Sequence, residues 1–352
     1  MLYRKPSLGG ITVSMELISK YRTQLMGMAI LLVALFHSSI NPVNDGIGFL
    51  CFLGDMGVDI FFLVSGFGMY YTFLKKPTLK QFYIKRICRI VPAWFCINLV
   101  VHLLENNISD INWITFLKGM TGFNFWLDGS LYYWYIPAAL MFYFLTPFFM
   151  RMYEVDKKKA YGIMGGIWII LISVCLVIHT TKYFIFLFRF PVYFIGIWLS
   201  DLAYHKKKLS NRNLFFLALV MVSGVAAEFF LKSNLDKSYM HYEYKYLIYL
   251  VIAVPLCIIV CALLDKTNYY FPVLYFLGGI TLEIYLLHEF MLRRITKWIG
   301  YVPFDSIGIL YNILIFLFVA GVSYVVHKVL GKIAYKTLMP RKRGTTMNRR
   351  KE

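Results

Sequence analysis

The chain has 352 residues, 59% of them hydrophobic and 16% charged, with a mean hydropathy of +0.63. A water-soluble protein of this length cannot hide so much apolar surface, and the alternating segments of about ten residues that mark a membrane barrel are not present. The formal net charge of +19 sits in short loops and the C-terminal tail, so it reads as topology signal and lipid-headgroup contact, not as a nucleic-acid surface.

The N-terminal stretch to Lys20 is polar, and no small-residue cleavage site follows the first apolar run, so no cleaved signal peptide is expected. Ten apolar stretches come next: 24–41, 47–74, 83–104, 131–150, 161–180, 183–203, 213–231, 244–264, 271–292 and 306–330. Each is near the length of about 20 residues that crosses a hydrocarbon core of about 30 Å. The longest connection, Glu105–Gly129, contains "WITFLKGMTGFNFW" and predicts a short interfacial helix anchored by Trp113 and Trp126. No internal repeat or inverted pair is evident. The pattern predicts an all-α polytopic bundle of about ten transmembrane helices. Residues 1–22 form a cytoplasmic segment, 23–332 the membrane domain and 333–352 a basic cytoplasmic tail. With the N-terminus inside, most of the 37 lysines and arginines fall on the cytoplasmic side, in "LKKPTLKQFYIKRICRI", "RMYEVDKKK", "HKKKLSNR" and the tail "MPRKRGTTMNRRKE". The six cysteines form no CxxC pair and read as small apolar residues, not as disulfides or metal ligands.

The first apolar run, "GMAILLVALFHSSI", leads straight into His37. The first and ninth segments both run from inside to outside, so His37 and His288, in "LEIYLLHEF", are expected at similar depth towards the outer leaflet. An ionisable side chain inside a membrane is costly and usually faces a cavity or a partner, although a lone histidine at a helix end is more often bonded to backbone. In "GDMGVDIFFLVSGFGMYY", Asp55 and Asp59 fall one turn apart. Asp55 is expected in a solvated position near the outer surface. Asp59 is deeper, and a histidine is its natural partner, since a carboxylate fixes the ring's tautomer and raises its basicity. Gly57, Gly66 and Gly68 permit close helix approach. No G-x-S-x-G turn surrounds Ser65, which reads as a packing or hydrogen-bonding serine. In "FYIKRICRIVP", Arg86 and Arg89 are three apart with Lys85 beside them; phosphate binding and ordinary membrane anchoring are equally open on spacing alone.

Taken in order, "FHSS", "MGVDIFFLVSGF", "IKRICRIVP", "YYWYIPAALMFYFLTP" and "GGITLEIYLLHEF" resemble the blocks of the acyltransferase 3 family, multipass bacterial O-acyltransferases, from about Arg22 to about Leu330. The resemblance implies that His37 is the catalytic histidine, with Asp59 orienting it. Asp59, Phe61, Phe62, Ser65 and Gly66 match the second-helix signature. Arg86 and Arg89, with Lys85, would hold the phosphates of an acyl-CoA donor. Trp134 and Tyr143 match the fourth-helix aromatics, and His288 closes the late block; with Ser65 these are expected around the acceptor. The implied activity is O-acyl transfer, O-acetyl by default, from cytoplasmic acetyl-CoA to a hydroxyl of a cell-surface polysaccharide or lipid-linked sugar. His37 would serve as general base or transient acyl carrier, without a metal. The implied location is a bacterial inner (plasma) membrane; the implied partners are acyl-CoA, the glycan and membrane lipids, with no nucleic acid, and a homo-oligomer is left open. The chain departs from the family at Met26, where a basic residue is common and Arg22 lies one turn earlier. It departs again at Ala139 and Leu140, where many members carry acids. The rival reading is a secondary transporter or flippase for a glycan precursor or small metabolite. Intramembrane histidine and aspartate suit a proton-coupled carrier, but the sequence shows neither repeat symmetry nor broken helices.

Overall fold

The computed structural model describes residues 12–38, 45–105, 112–235, 241–299 and 306–338. Long apolar sequence becomes helix here because lipid offers backbone N–H and C=O groups no partner outside the segment. In chain order the helices are α1 (Leu17–Lys20), α2 (Arg22–His37), α3 (Asp45–Leu53), α4 (Gly57–Phe73), α5 (Leu79–Glu105), α6 (Trp113–Thr121), α7 (Phe123–Asp128) and α8 (Tyr135–Val155). They continue with α9 (Lys157–Val177), α10 (Phe184–Leu187), α11 (Phe190–Tyr204), α12 (Asn211–Leu235), α13 (His241–Thr267), α14 (Pro272–Gly279), α15 (Thr281–Ile299) and α16 (Ser306–Leu338).

Among the described residues, 8 spans are long and apolar enough to cross a membrane, or 9 if the bent pair α14–α15 counts as one. That pair turns by 82° at its break, so the ninth expected segment is a broken helix and not a continuous span. The first helix is also shorter than expected: α2 has 16 residues and ends at His37, about 24 Å of rise. The single interfacial helix expected in the long connection is two helices, α6 and α7, hinged at Gly122 in a left-handed conformation (φ 75°). Asn112 caps α6 by accepting from the backbone N–H groups of Ile114 and Thr115. Trp113 is exposed as an anchor should be, whereas Trp126 is half-buried and stacks on Tyr183.

At the centre stands α4, apolar on nearly every side and buried accordingly. It packs on α11 at backbone distance. A Cβ on Gly66 would lie 2.0 Å from the Tyr193 carbonyl oxygen, and one on Gly196 would lie 2.2 Å from that of Leu63. The expected close approach at Gly66 and Gly57 is therefore present, while Gly68 faces the Arg22 guanidinium. The outer helices α9, α12 and α16 turn most of their apolar surface away from the protein.

The N-terminal segment is tied to one end of the bundle. Strand β1 (Val13–Ser14) pairs antiparallel with β2 (Lys208–Leu209), and Lys20 bonds Asp265 at 2.7 Å. From that end α2 rises to place His37 at the other. All six cysteines are free, and Cys51, Cys175, Cys257 and Cys261 are buried.

Candidate active site

His37 is the last residue of α2, and His288 lies on the second turn of α15. Their rings meet edge to face, centroids 4.8 Å apart, with His288 Nε2 3.3 Å from His37 Nδ1. The two histidines expected at one level are thus in contact. Their bonding assigns the protons. His288 Nδ1 sits 2.8 Å from the Tyr285 carbonyl and 3.2 Å from that of Ile284. Carbonyls only accept, so Nδ1 carries the hydrogen and Nε2 is left as an acceptor. His37 Nδ1 faces that acceptor and the Val33 carbonyl at 2.9 Å, so it too is protonated. The Nε2 lone pair of His37 remains, with no hydrogen-bond partner among the described residues.

His37 and His288 line a chamber of about 480 Å³, within the range of about 300–1,000 Å³ common for ligand sites. Its other walls carry Trp134, Tyr132 and Tyr246 and the charges of Asp55, Lys245, Glu289 and Arg293. Arg293 ion-pairs with Glu289 one turn away, and Lys245 with Asp55 at 2.9 Å.

Beneath the chamber lies a fully buried arginine. Arg189 Nη2 donates to Asp55 Oδ1 at 2.8 Å and to the Asp55 carbonyl at 3.1 Å, while Nε donates to Asp59 Oδ2 at 3.1 Å. Its guanidinium lies 4.1 Å from the Tyr246 ring centroid and 5.1 Å from that of Trp134. Two expectations change here. Asp59 takes its ion pair from Arg189 on the segment before α11, and the position of His37's partner is filled by His288. Asp55 is buried rather than solvated, held between two cations. Both changes follow from desolvation: a carboxylate removed from water needs a charged partner within contact. Arg189 and Lys245 are absent from the residues singled out by motif, although an arginine inside "FLFRFPVYF" and a lysine inside "YEYKYLIYL" carry the same cost as Asp59 and signal the same kind of pairing.

At the opposite face, Arg22 and Arg89 line a recess of about 60 Å³ together with Met26, Ser65 and Tyr143. The Arg86–Arg89 pair does not share one environment. Arg86 is buried, donates to Thr72 Oγ1 at 2.9 Å and lies 5.5 Å from the rings of Phe82 and Tyr143. Arg89 is exposed at the recess, and its neighbour in charge is Arg22 on α2, near the Met26 departure. Lys85 is exposed beside them. Ser65 Oγ and the Tyr143 hydroxyl are hydrogen-bonded at 2.7 Å, which places two of the expected acceptor residues in the recess and not in the histidine chamber. Trp134 is the fourth-helix aromatic that does reach the His37 chamber.

Tyr285 lines both the recess and the chamber. Its ring is 5.2 Å from Tyr135 and 5.8 Å from His288, and Phe61 and Phe62 back Tyr135 at 5.8 and 5.0 Å. The signature phenylalanines therefore build an aromatic septum between the arginine side and the histidine side. Among the described residues no three His, Cys, Asp or Glu side chains converge as metal ligands would.

Neither the curated proteins nor the solved structures provide a match to the chain. The model of the acyltransferase 3 family, described as "Acyltransferase domain", matches residues 25–328, from the first turn of α2 into α16, and takes in the histidine pair, the septum and most of both cavities. The chain belongs to this family of membrane acyltransferases, which generally acylate or acetylate carbohydrates.

Proposed function

We propose that this multipass membrane acyltransferase transfers an acetyl group from cytoplasmic acetyl-CoA to a glycan hydroxyl presented on the outer side of a bacterial plasma membrane. The observation that carries the reading is the pairing of His37 with His288 in a polar chamber, one aromatic ring away from an arginine-lined recess. Guanidinium groups suit the phosphates of CoA, so Arg22 and Arg89 receive the nucleotide end. The pantetheine arm then enters past Ser65 and Tyr143. A recess of about 60 Å³ holds only a few waters, so the arm enters as the Tyr285 ring swings off Tyr135.

In the chamber His37 Nε2 takes the proton of the acceptor hydroxyl as that oxygen attacks the thioester carbonyl carbon. The new C–O bond forms, the C–S bond breaks, and the departing CoA thiolate recovers the proton from His37 and leaves as the thiol. A positioned base of this kind contributes about 10²–10⁴-fold in rate. His288 is the positioning residue: its Nε2 accepts from His37 Nδ1–H, holds the tautomer and supports the charge while the ring carries two protons. Direct transfer asks for one proton acceptor and no acyl-imidazole. The Asp55–Asp59–Arg189–Lys245 cluster forms the rigid floor of the chamber.

The bent α14–α15 pair is a feature that a carrier would also use, as are the intramembrane histidines and aspartates, and the test separates the two. Proteoliposomes receive radiolabelled acetyl-CoA with a crude surface-glycan acceptor inside. His37-dependent cleavage of the thioester, with label on the glycan, is the expected result. Label that crosses the membrane as intact acetyl-CoA, without cleavage, overturns the reading in favour of transport.

A further inference from the structure

Arg22, the first residue of α2, carries a charge that its surroundings oppose. It is half-buried in the recess over Gly68, within electrostatic reach of Arg89 and Arg86. Among the described residues no carboxylate pairs with any of the three. It also stands at the positive end of the α2 dipole, where a cation is disfavoured. Like charges and the helix field both push this guanidinium out of the recess, so its backbone has to be held. Packing on α14 holds α2 from Thr23 onward: Gly278 meets the Thr23 carbonyl, and the Phe271 N–H donates to Gln24 Oε1 at 3.4 Å. Ahead of Arg22 the hold comes from residues 12–21.

Those residues form a strap across the recess end of the bundle. Its outer part is tied by the β1–β2 pairing and by the Met15 N–H, which donates to the Lys207 carbonyl at 3.3 Å. A helix of four residues does not form alone. Here α1 stands because Met15 and Ile18, 2% and 1% exposed, are buried where it packs on α13, α2 and α4. Its last turn is pinned as well: Lys20 Nζ and the Tyr21 hydroxyl both donate to Asp265 Oδ1, at 2.7 and 3.3 Å. Arg22 is the next residue. The strap and Arg22 both precede residues 25–328, the part that the family model matches, so this hold on the recess is a feature of this chain and not of the matched domain.

We propose that the strap sets the affinity for the donor: anchored by Ile18 and Asp265, it holds the Arg22 guanidinium beside Arg89 so that the two together meet the donor's diphosphate. This role rests on the acyltransferase reading and deepens it. Met15, Ile18, Tyr21 and Asp265 touch no donor and are positioning residues that act through Arg22.

Ile18→Asp tests the strap, because a carboxylate cannot stay in that seat without a partner. The readouts, on the full-length protein in nanodiscs, are the Kd of inorganic pyrophosphate by calorimetry, KM for acetyl-CoA, and kcat/KM for S-acetylpantetheine, which carries no phosphate. Pyrophosphate should bind about fivefold more weakly and KM for acetyl-CoA should rise about fivefold at unchanged kcat, the pattern of lost ground-state binding. S-acetylpantetheine should be used as well as by wild type. On an Arg22→Ala background Ile18→Asp should change nothing further, since residues that act through one another are not additive. Where Ile18→Asp does not fold, Met15→Ala with Ile18→Ala loosens the strap by lost packing alone and gives the same reading. Equal loss on both donors overturns the proposal and leaves the strap a cap on the bundle. Pyrophosphate binding that is unchanged in the variant overturns it too, because Arg22 is then held without the strap, and so does a further loss on the Arg22→Ala background. Failure of wild type to cleave acetyl-CoA at all removes the donor reading instead, and the pyrophosphate Kd then decides alone: weakening that vanishes on the Arg22→Ala background upholds the strap. Absence of pyrophosphate binding by wild type overturns it.

Discussion

Replacing Arg189 by methionine isolates the energetics of the chamber floor. The guanidinium is fully buried and serves two carboxylates. Without it Asp55 keeps Lys245 at 2.9 Å, but Asp59, also fully buried, loses its cation. One uncompensated buried charge is what remains, and breaking a buried pair in this way costs about 3–5 kcal/mol. That is more than a hundredfold in the ratio of folded to unfolded protein, since about 1.4 kcal/mol is tenfold. The double variant Arg189→Met with Asp59→Leu removes both partners, and should recover most of the loss because no bare carboxylate is left. Reversible denaturation in mixed micelles, followed by tryptophan fluorescence, measures both. A single variant within about 0.5 kcal/mol of wild type, the size of an ordinary surface substitution, contradicts the argument. So does a double variant less stable than the single one.

Three further outcomes follow from the same geometry. His288→Leu removes the acceptor for His37 Nδ1–H and should lower kcat about 10- to 100-fold with little change in KM for acetyl-CoA, within the range for positioned acid–base groups; His288→Gln, which keeps an acceptor, should restore part of it, and equal loss in both variants contradicts the positioning role. Arg22→Ala with Arg89→Ala should raise KM for acetyl-CoA about tenfold while kcat holds, whereas Arg86→Met should chiefly destabilise the protein, because Arg86 is buried against Thr72 and Tyr143; steady-state kinetics and melting curves distinguish them. Gly66→Leu should abolish folding into membranes, read as loss of protease-resistant protein, since even a Cβ would meet the Tyr193 carbonyl at 2.0 Å.

The helical architecture was legible because hydrocarbon imposes one rule on every span: twenty or so apolar residues with all backbone bonds internal. The places where the pattern failed have local causes. The ninth stretch carries no charge around its break, yet α14 packs backbone to backbone on α2, where a Cβ on Gly278 would lie 1.8 Å from the Thr23 carbonyl oxygen, and the chain breaks there; hydropathy does not register such contact. The shared level of His37 and His288 followed from counting helix directions. Their order of bonding did not, because it depends on which carbonyls the turn of α15 presents. Asp59 was recognisable as a buried charge, but its partner is 130 residues away in sequence, and several histidines and arginines could have met it. Spacing put Arg86 and Arg89 on one helix, while the packing of Phe82 and Tyr143 decides that only Arg89 reaches the recess.

Whether His37 is the base is tested by a single turnover with radiolabelled acetyl-CoA, acid-quenched and compared between wild type and His37→Ala. Wild type is expected to cleave the thioester, and the variant to do so at a rate lower by at least about a hundredfold, with both proteins equally folded. Equal cleavage by the two would contradict it, and the base would have to be sought elsewhere in the bundle.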